Sequence, residues 1–178
     1  MYGHLYINGR EIQSLSVNGR LVWQLEEPPT PTEEGLIFTS VGSATITLTK
    51  QGSPTTRRIQ YAVGSDDWSS YSPGTVVSVS ANTKVKFRNL DEYLSDSTSS
   101  YYQFQMTGQW NGSGDVLAMV NNSQQMHNSC LCYLFKDCTG LLTAPSISPH
   151  ISTTYSMRGL FRGCSSMTTP PPELHNME

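Results

Sequence analysis

Charge is scarce in this chain of 178 residues. Asp, Glu, Lys and Arg make up 14%, with 11 Lys and Arg against 14 Asp and Glu and no basic run. That excludes electrostatic capture of nucleic acid or of an anionic membrane, both of which need a clustered basic footprint. No stretch of about 18 apolar residues occurs, so no membrane-spanning helix and no membrane insertion are expected. The start Met1-Tyr2-Gly3-His4-Leu5-Tyr6 lacks the charged and apolar regions of a secretory signal. The expectation is a chain that stays in the cytoplasm where it is made.

The residues of metal and nucleophile chemistry are just as thinly placed. The four cysteines, Cys130, Cys132, Cys138 and Cys164, all fall in the last third, whereas a disulfide framework spreads its cysteines over the fold it staples. They read as reduced core residues. Cys130 and Cys132 form C-x-C rather than the C-x-x-C of zinc and redox sites. His4, His127, His150 and His175 stand in no H-E-x-x-H or Cys/His frame, and no G-x-S-x-G elbow singles out one serine. Gly108 to Gly114 is glycine-rich without a phosphate-loop Lys. Asp66-Asp67, Asp91-Glu92 and Asp96 lack calcium-loop spacing and read as solvated turns. No catalytic, cofactor-binding or metal-ligating residue is assigned, and no cofactor is expected. An enzyme such as a glycan hydrolase would need a pair of carboxylates facing each other across a cleft.

What the chain has in abundance is hydroxyl: 24 Ser and 18 Thr, interrupted by 14 Gly and 10 Pro. Such a composition disfavours long helices and points to a mainly β fold. Residues 1–25 contain a small repeat, Tyr6-Ile7-Asn8-Gly9-Arg10 and Ser16-Val17-Asn18-Gly19-Arg20. Each Asn-Gly is a strong two-residue hairpin signal, because a type I′ turn needs positive φ at both central residues. The flanks Leu5–Ile7, Arg10–Ile12, Leu15–Val17 and Leu21–Trp23 predict a four-stranded meander. A sheet so small cannot bury a core alone, so residues 1–25 read equally as an ordinary ribbon or as a docking module. Tyr6, Ile7, Val17, Leu21 and Trp23 are its candidate assembly residues. Residues 26–34, with three prolines and four acids, read as an extended linker.

Residues 35–120 alternate short β-prone runs with turn residues. Strands are predicted over Leu36–Ser40, Ala44–Lys50, Arg57–Val63, Thr75–Ser80, Lys84–Asn89 and Tyr101–Trp110. Ala44-Thr45-Ile46-Thr47-Leu48-Thr49 and Lys84-Val85-Lys86-Phe87-Arg88 alternate apolar and polar, the mark of a strand with one buried face. This spacing implies an antiparallel β-sandwich, Ig-like or jelly-roll-like.

Residues 121–178 carry the most specific pattern. Tyr133-Leu134-Phe135-Lys136-Asp137-Cys138-Thr139-Gly140-Leu141 aligns with Gly159-Leu160-Phe161-Arg162-Gly163-Cys164-Ser165-Ser166-Met167 at a spacing of 26 residues, each copy followed by prolines. A period of that length is the signature of a short solenoid whose equivalent side chains stack into one core. Cys138 and Cys164 would then be small apolar rungs. These segments resemble the BspA-like leucine-rich repeats found in surface adhesins of gut Bacteroidetes and in virion proteins of the bacteriophages that infect them. Ile59-Gln60-Tyr61-Ala62-Val63, Trp68-Ser69-Ser70-Tyr71 and Val85-Lys86-Phe87-Arg88 are similar to the domain preceding such repeats. The N-terminal ribbon is similar to short leaders of phage tail and fibre proteins. Roughly three repeats are usual for a solenoid. With about two, the expectation is that the natural chain continues past Glu178 or that another chain caps this end.

The resemblance implies a non-enzymatic bacteriophage virion protein, a tail or head fibre or host-adhesion component. It would be located in the virion, with other virion proteins as partners and a homo-oligomer, trimeric by fibre analogy alone. The alternative is an adhesin on the bacterial cell surface. Either would bind a host surface glycan or protein. The candidate binding residues are Trp68, Tyr71, Tyr101 and Tyr102, with Tyr93 beside them, since exposed aromatics among hydroxyls suit glycan stacking or protein contact. Against this, Trp68 and Tyr71 also suit plugs at one end of a core.

Overall fold

The computed structural model describes residues 5–7, 10–12, 14–17, 20–24, 35–149 and 151–169, the first four segments as backbone only. The chain divides into two units, Met1–Glu33 and Glu34–Glu178. The expected 26–34 linker and the prolines after Thr169 lie outside the described residues.

In the first unit β1 (Leu5–Ile7) pairs antiparallel with β2 (Arg10–Ile12), and β3 (Ser14–Val17) with β4 (Arg20–Gln24). Ile7 faces Arg10 and Val17 faces Arg20, as two-residue connections require; the Asn-Gly turns themselves lie outside the described residues. The expected meander is corrected on one point: the ladders form two separate two-stranded sheets. The side chains of Tyr6, Ile7, Val17, Leu21 and Trp23 are outside the described set.

The second unit is mainly β, with two sheets. Its strands are β5 (Leu36–Ser40), β6 (Ala44–Gln51), β7 (Ile59–Val63), β8 (Ser69–Ser70), β9 (Val77–Val79), β10 (Lys84–Asn89), β11 (Tyr101–Thr107), β12 (Trp110–Gly114) and β13 (Leu141–Thr143). One sheet runs β13-β12-β5-β10-β7-β8, antiparallel except for the parallel pair β12 and β13; the other runs β11-β6-β9. Alternation decides which side chains go inward. Val85 and Phe87 of β10 are buried between Lys84, Lys86 and Arg88, and Ile46 and Leu48 of β6 are buried likewise. The sheets meet through aromatic edges: Phe38 lies 5.1 Å from Phe104 and 6.3 Å from Phe87, and Phe87 lies 5.1 Å from Phe104.

The expected single strand Tyr101–Trp110 is two strands on different sheets. Gly108 breaks it, at φ 71° with the position of a Cβ only 2.9 Å from that of Ala44. Only glycine accommodates both constraints. The chain therefore crosses from β11 to β12, and Trp110 becomes fully buried, its indole N–H donating to the Thr107 carbonyl at 3.0 Å. Sequence reasoning also passed over a 3₁₀ turn, Val116–Val120, wholly buried and capped by Asp115, whose carboxylate accepts the Leu117 N–H.

Residues 127–138 use the backbone in an unusual way. The N–H groups of Cys130, Cys132, Leu134, Lys136 and Cys138 each reach back three residues, while those of Leu131, Tyr133, Phe135 and Asp137 cross to the carbonyls of Ser156, Arg158, Leu160 and Arg162. A residue with positive φ re-aims the chain at every fourth position, Ser129, Tyr133 and Asp137. Residues 153–164 repeat the pattern, with positive φ at Tyr155, Gly159 and Gly163, each 26 residues on. The repeat read from side chains is thus also a repeat of backbone conformation. Its first copy docks on the β region through Ser95, Phe104 and Trp110, whose N–H groups donate to Cys130, Leu134 and Gly140. Phe104, Phe135 and Phe161 stack at 5.7 and 5.1 Å with planes within 10°. Among the described residues the two copies stack without closing a solenoid. The expected boundary at residue 120 is not a boundary of packing, because one buried cluster runs from Leu36 to Leu160.

Candidate functional site

The aromatic residues singled out from the sequence do not converge. Tyr102 is fully buried; its hydroxyl donates to the Thr55 carbonyl at 2.9 Å and accepts the Arg57 N–H at 3.2 Å. Tyr71 is buried too, with its hydroxyl accepting the Leu48 N–H and donating to the Thr75 carbonyl. Burial pushes both phenols above their ordinary value. As binding residues these two are corrected: each buries a ring, satisfies its polar tip internally, and offers nothing to a ligand. Trp68 lies half-buried against the cations of β10, with the Arg88 guanidinium 4.2 Å and the Lys86 ammonium 5.6 Å from its ring. Tyr101 is half-buried and sits 5.0 Å from Tyr133, on β11.

A different group does converge. A cleft of about 760 Å³ is lined by Glu92, Tyr93, Ser95, Asp96, Ser123, Gln125, Met126, His127, Asn128 and Thr153. Its size falls in the range of small-molecule sites. Three stretches of chain build it: the connection between β10 and β11, the segment entering the first repeat, and the start of the second repeat.

The first wall is held from beneath. The buried Asn89 amide lies within 3.1 Å of the carbonyls of Asp91, Tyr93 and Met119 and ties the connection to the 3₁₀ turn. Arg57, buried, donates through Nε to the Leu94 carbonyl at 3.1 Å, forms an ion pair with Asp96, and lays its guanidinium 3.9 Å from the Tyr93 ring. Asp96 also accepts the N–H and hydroxyl of Thr55 at 2.6 and 2.9 Å. Just outside the cleft, Asp91 accepts the N–H and Nε of Arg58, each at 2.8 Å. Burial alone would raise the Asp91 carboxyl, but the Arg58 hydrogen bonds and the charges of Arg58 and Arg57 outweigh it and hold it below the ordinary carboxylate value.

The second wall is set by Asn121 and Asn122, both at positive φ, which turn the chain out of the 3₁₀ segment. Asparagine tolerates that conformation better than other non-glycine residues. Met126 then donates to the Ile151 carbonyl at 3.0 Å and Ile151 to the Gln124 carbonyl at 2.6 Å, pinning this wall to the second repeat. Across the opening His127 Nε2 lies 3.7 Å from Glu92 Oε2, and its ring is 5.0 Å from Tyr93.

The lining is mostly hydrogen-bonding and its one uncommitted carboxylate is that of Glu92. Among the described residues no Lys or Arg lines the cleft, and the Asp96 carboxylate is spent on Arg57 and Thr55. Thr153 has the one buried side-chain oxygen without a partner among the described residues. Nor does any cluster of three metal-ligating side chains occur among them. The cysteines lie elsewhere, in the stacked core, unpaired. Cys138 Sγ donates to the Phe104 carbonyl at 3.2 Å and Cys164 Sγ to the Phe135 carbonyl at 3.0 Å, the same contact one repeat apart. Burial pushes the Cys130 thiol up to about 12 and those of Cys132 and Cys164 up to about 11, and raises Cys138 further still.

Of these lining residues sequence reasoning weighed Tyr93 as an aromatic and took Glu92 and Asp96 as solvated turns. It missed Gln125, Asn128 and Thr153. Nothing local marks them, because the cleft exists only once segments 30 to 60 residues apart are stacked. No protein-family model, no curated protein and no solved structure matches the chain.

Proposed function

We propose that this chain is a non-enzymatic adhesion or structural component of a bacteriophage virion, of tail or head fibre type, acting through binding. In this reading the two sheets form an Ig-like or jelly-roll-like sandwich, and the stacked segments are leucine-rich-repeat rungs of BspA-like kind. The observation that carries it is the 26-residue repeat, in which a distinctive side-chain pattern coincides with a distinctive backbone pattern of left-handed residues. A packed scaffold of stacked rungs presenting a polar cleft suits recognition by many weak contacts made at once, where high effective concentration supplies the strength. Residues 1–25 would serve anchoring to other virion proteins or to sister chains.

A second reading, an adhesin on the surface of a gut bacterium, rests on the same repeat, which resembles both kinds of protein. Quantitative peptide mass spectrometry on purified particles and on the host envelope fraction separates them. Stoichiometric copies in particles are expected. Recovery only from the envelope would replace the virion reading with the adhesin, and absence from both would overturn the two together.

A further inference from the structure

We propose that the cleft between the 92–96 and 123–128 segments is a recognition site for neutral saccharides; this rests on the adhesion reading and gives it a ligand class. The argument is from what the lining can and cannot satisfy. Glu92, Gln125, His127, Asn128 and Thr153 come together with hydrogen-bonding capacity left over. Gln125 and Asn128, both exposed, have no side-chain hydrogen bond among the described residues, the buried Thr153 hydroxyl has none, and Glu92 and His127 have no polar side-chain partner there but each other, at 3.7 Å. Primary amides and a hydroxyl both donate and accept, while a carboxylate accepts only. A ligand matching that mixture must also present groups that both donate and accept, at close spacing. The vicinal hydroxyls of a sugar ring do so.

Other ligand classes fit less well. Phosphate, sulfate or a uronic acid needs a cation, and the guanidinium that touches the lining, that of Arg57, is already committed to Asp96, the Leu94 carbonyl and the Tyr93 ring. An acyl chain needs an apolar lining, whereas among the described residues Met126 and Tyr93 are the only large apolar side chains here. Tyr93 is 37% exposed, but its ring already carries the Arg57 guanidinium at 3.9 Å and has the His127 ring at 5.0 Å, so it serves as a wall more than as an open stacking platform. Binding then rests on hydrogen bonds made in competition with water, and single-site affinity is on the order of millimolar. Such affinity is useful only when many copies bind together.

The test is a printed glycan array covering neutral, N-acetylated, sialylated and uronic-acid glycans, probed with the full chain at high density, followed by an amide-resolved NMR titration with the best neutral trisaccharide. Saturable shifts at Ser95, Gln125, His127, Asn128 and Thr153 are expected. Gln125→Ala and Asn128→Ala should each weaken binding about tenfold with the thermal midpoint unchanged, and Val76→Ala, at an exposed side chain outside the lining, should leave binding as it was. Binding confined to acidic glycans, shifts that map instead to Trp68, Lys86 and Arg88, no neutral binder on the array, or a peptide as the cleft's ligand would each overturn the assignment. A chain found in particles with a silent cleft loses this inference alone. A working cleft on a chain absent from both particles and envelope loses only the proposed function.

Discussion

Arg57 shows how much one side chain organises. Its guanidinium is buried, paired with Asp96, bonded to the Leu94 carbonyl and laid on Tyr93, so with Asn89 it holds the first wall of the cleft. Removing one partner of such a pair strands the other charge, and here the Leu94 carbonyl with it. Arg57→Ala should cost about 3 kcal/mol in chemical denaturation and weaken the cleft, whereas Arg88→Ala, whose guanidinium rests on Trp68, should cost less than about 1 kcal/mol. The thiols give a second residue-scale expectation. Because burial raises all four from an ordinary value of 9.0, they should resist alkylation at pH 8 in the native state and all react in denaturant. A folded thiol raised above its unfolded value stabilises fully below that value, and the contribution is lost as pH rises. Stability should therefore decline between about pH 9 and 12, with equilibrium unfolding across that range as the check.

At the scale of the element, the repeat is distinctive in its backbone. Tyr133 and Asp137 hold a left-handed conformation that costs a non-glycine residue about 1 kcal/mol or more, and the second copy has Gly159 and Gly163 in their places. Gly159→Ala would restore that cost and press a Cβ to within 2.7 Å of the Tyr133 ring. A loss of about 2 kcal/mol is expected in thermal unfolding. Hydrogen exchange tests the alternating bonds directly. The N–H groups of Leu131, Tyr133, Phe135 and Asp137 cross to the second copy and should be protected. Their equivalents at Met157, Gly159, Phe161 and Gly163 find no acceptor among the described residues and should exchange orders of magnitude faster. Equal rates would show that the alternation is wrong.

At the scale of the second unit, the repeats and the β region share one interior. Phe135 lies 6.0 Å from Phe38 of β5, 5.7 Å from Phe104 of β11 and 5.1 Å from Phe161. Phe135→Ala should cost about 3 to 5 kcal/mol and lower the midpoint seen by tryptophan fluorescence and by backbone circular dichroism together. Two separate transitions would instead divide the unit at the end of the 3₁₀ turn. The acid limb follows from Asp91. A carboxyl held below its unfolded value stabilises above that value, and the gain is lost as pH falls through the folded one, so stability should fall below about pH 4. Asp91→Asn, measured at pH 3 and pH 7, should remove much of that slope.

What could be read from the chain alone is what local chemistry controls. Alternation placed β6 and β10 almost to the residue, since a one-residue slip would turn Val85 and Phe87 out to water. The 26-residue spacing located the two repeats, because stacking demands equivalent side chains at equal intervals. Cys130, Cys132 and Cys138, read from the chain as core residues, are buried. What only the tertiary structure decided depends on distant segments meeting. Gly108 could end a strand or interrupt one, and the close approach of Ala44 decided which. Tyr71 and Tyr102 carry the same ring as Tyr93, and their surroundings alone sorted them, two into the core with satisfied hydroxyls and one into the wall of a cleft. That cleft joins Glu92 to His127 and Thr153, residues with no sequence relation to each other. His127 and Thr153 meet because backbone N–H groups of the first repeat find their acceptors in the second, and Glu92 joins them because the Ser95 N–H donates to the Cys130 carbonyl.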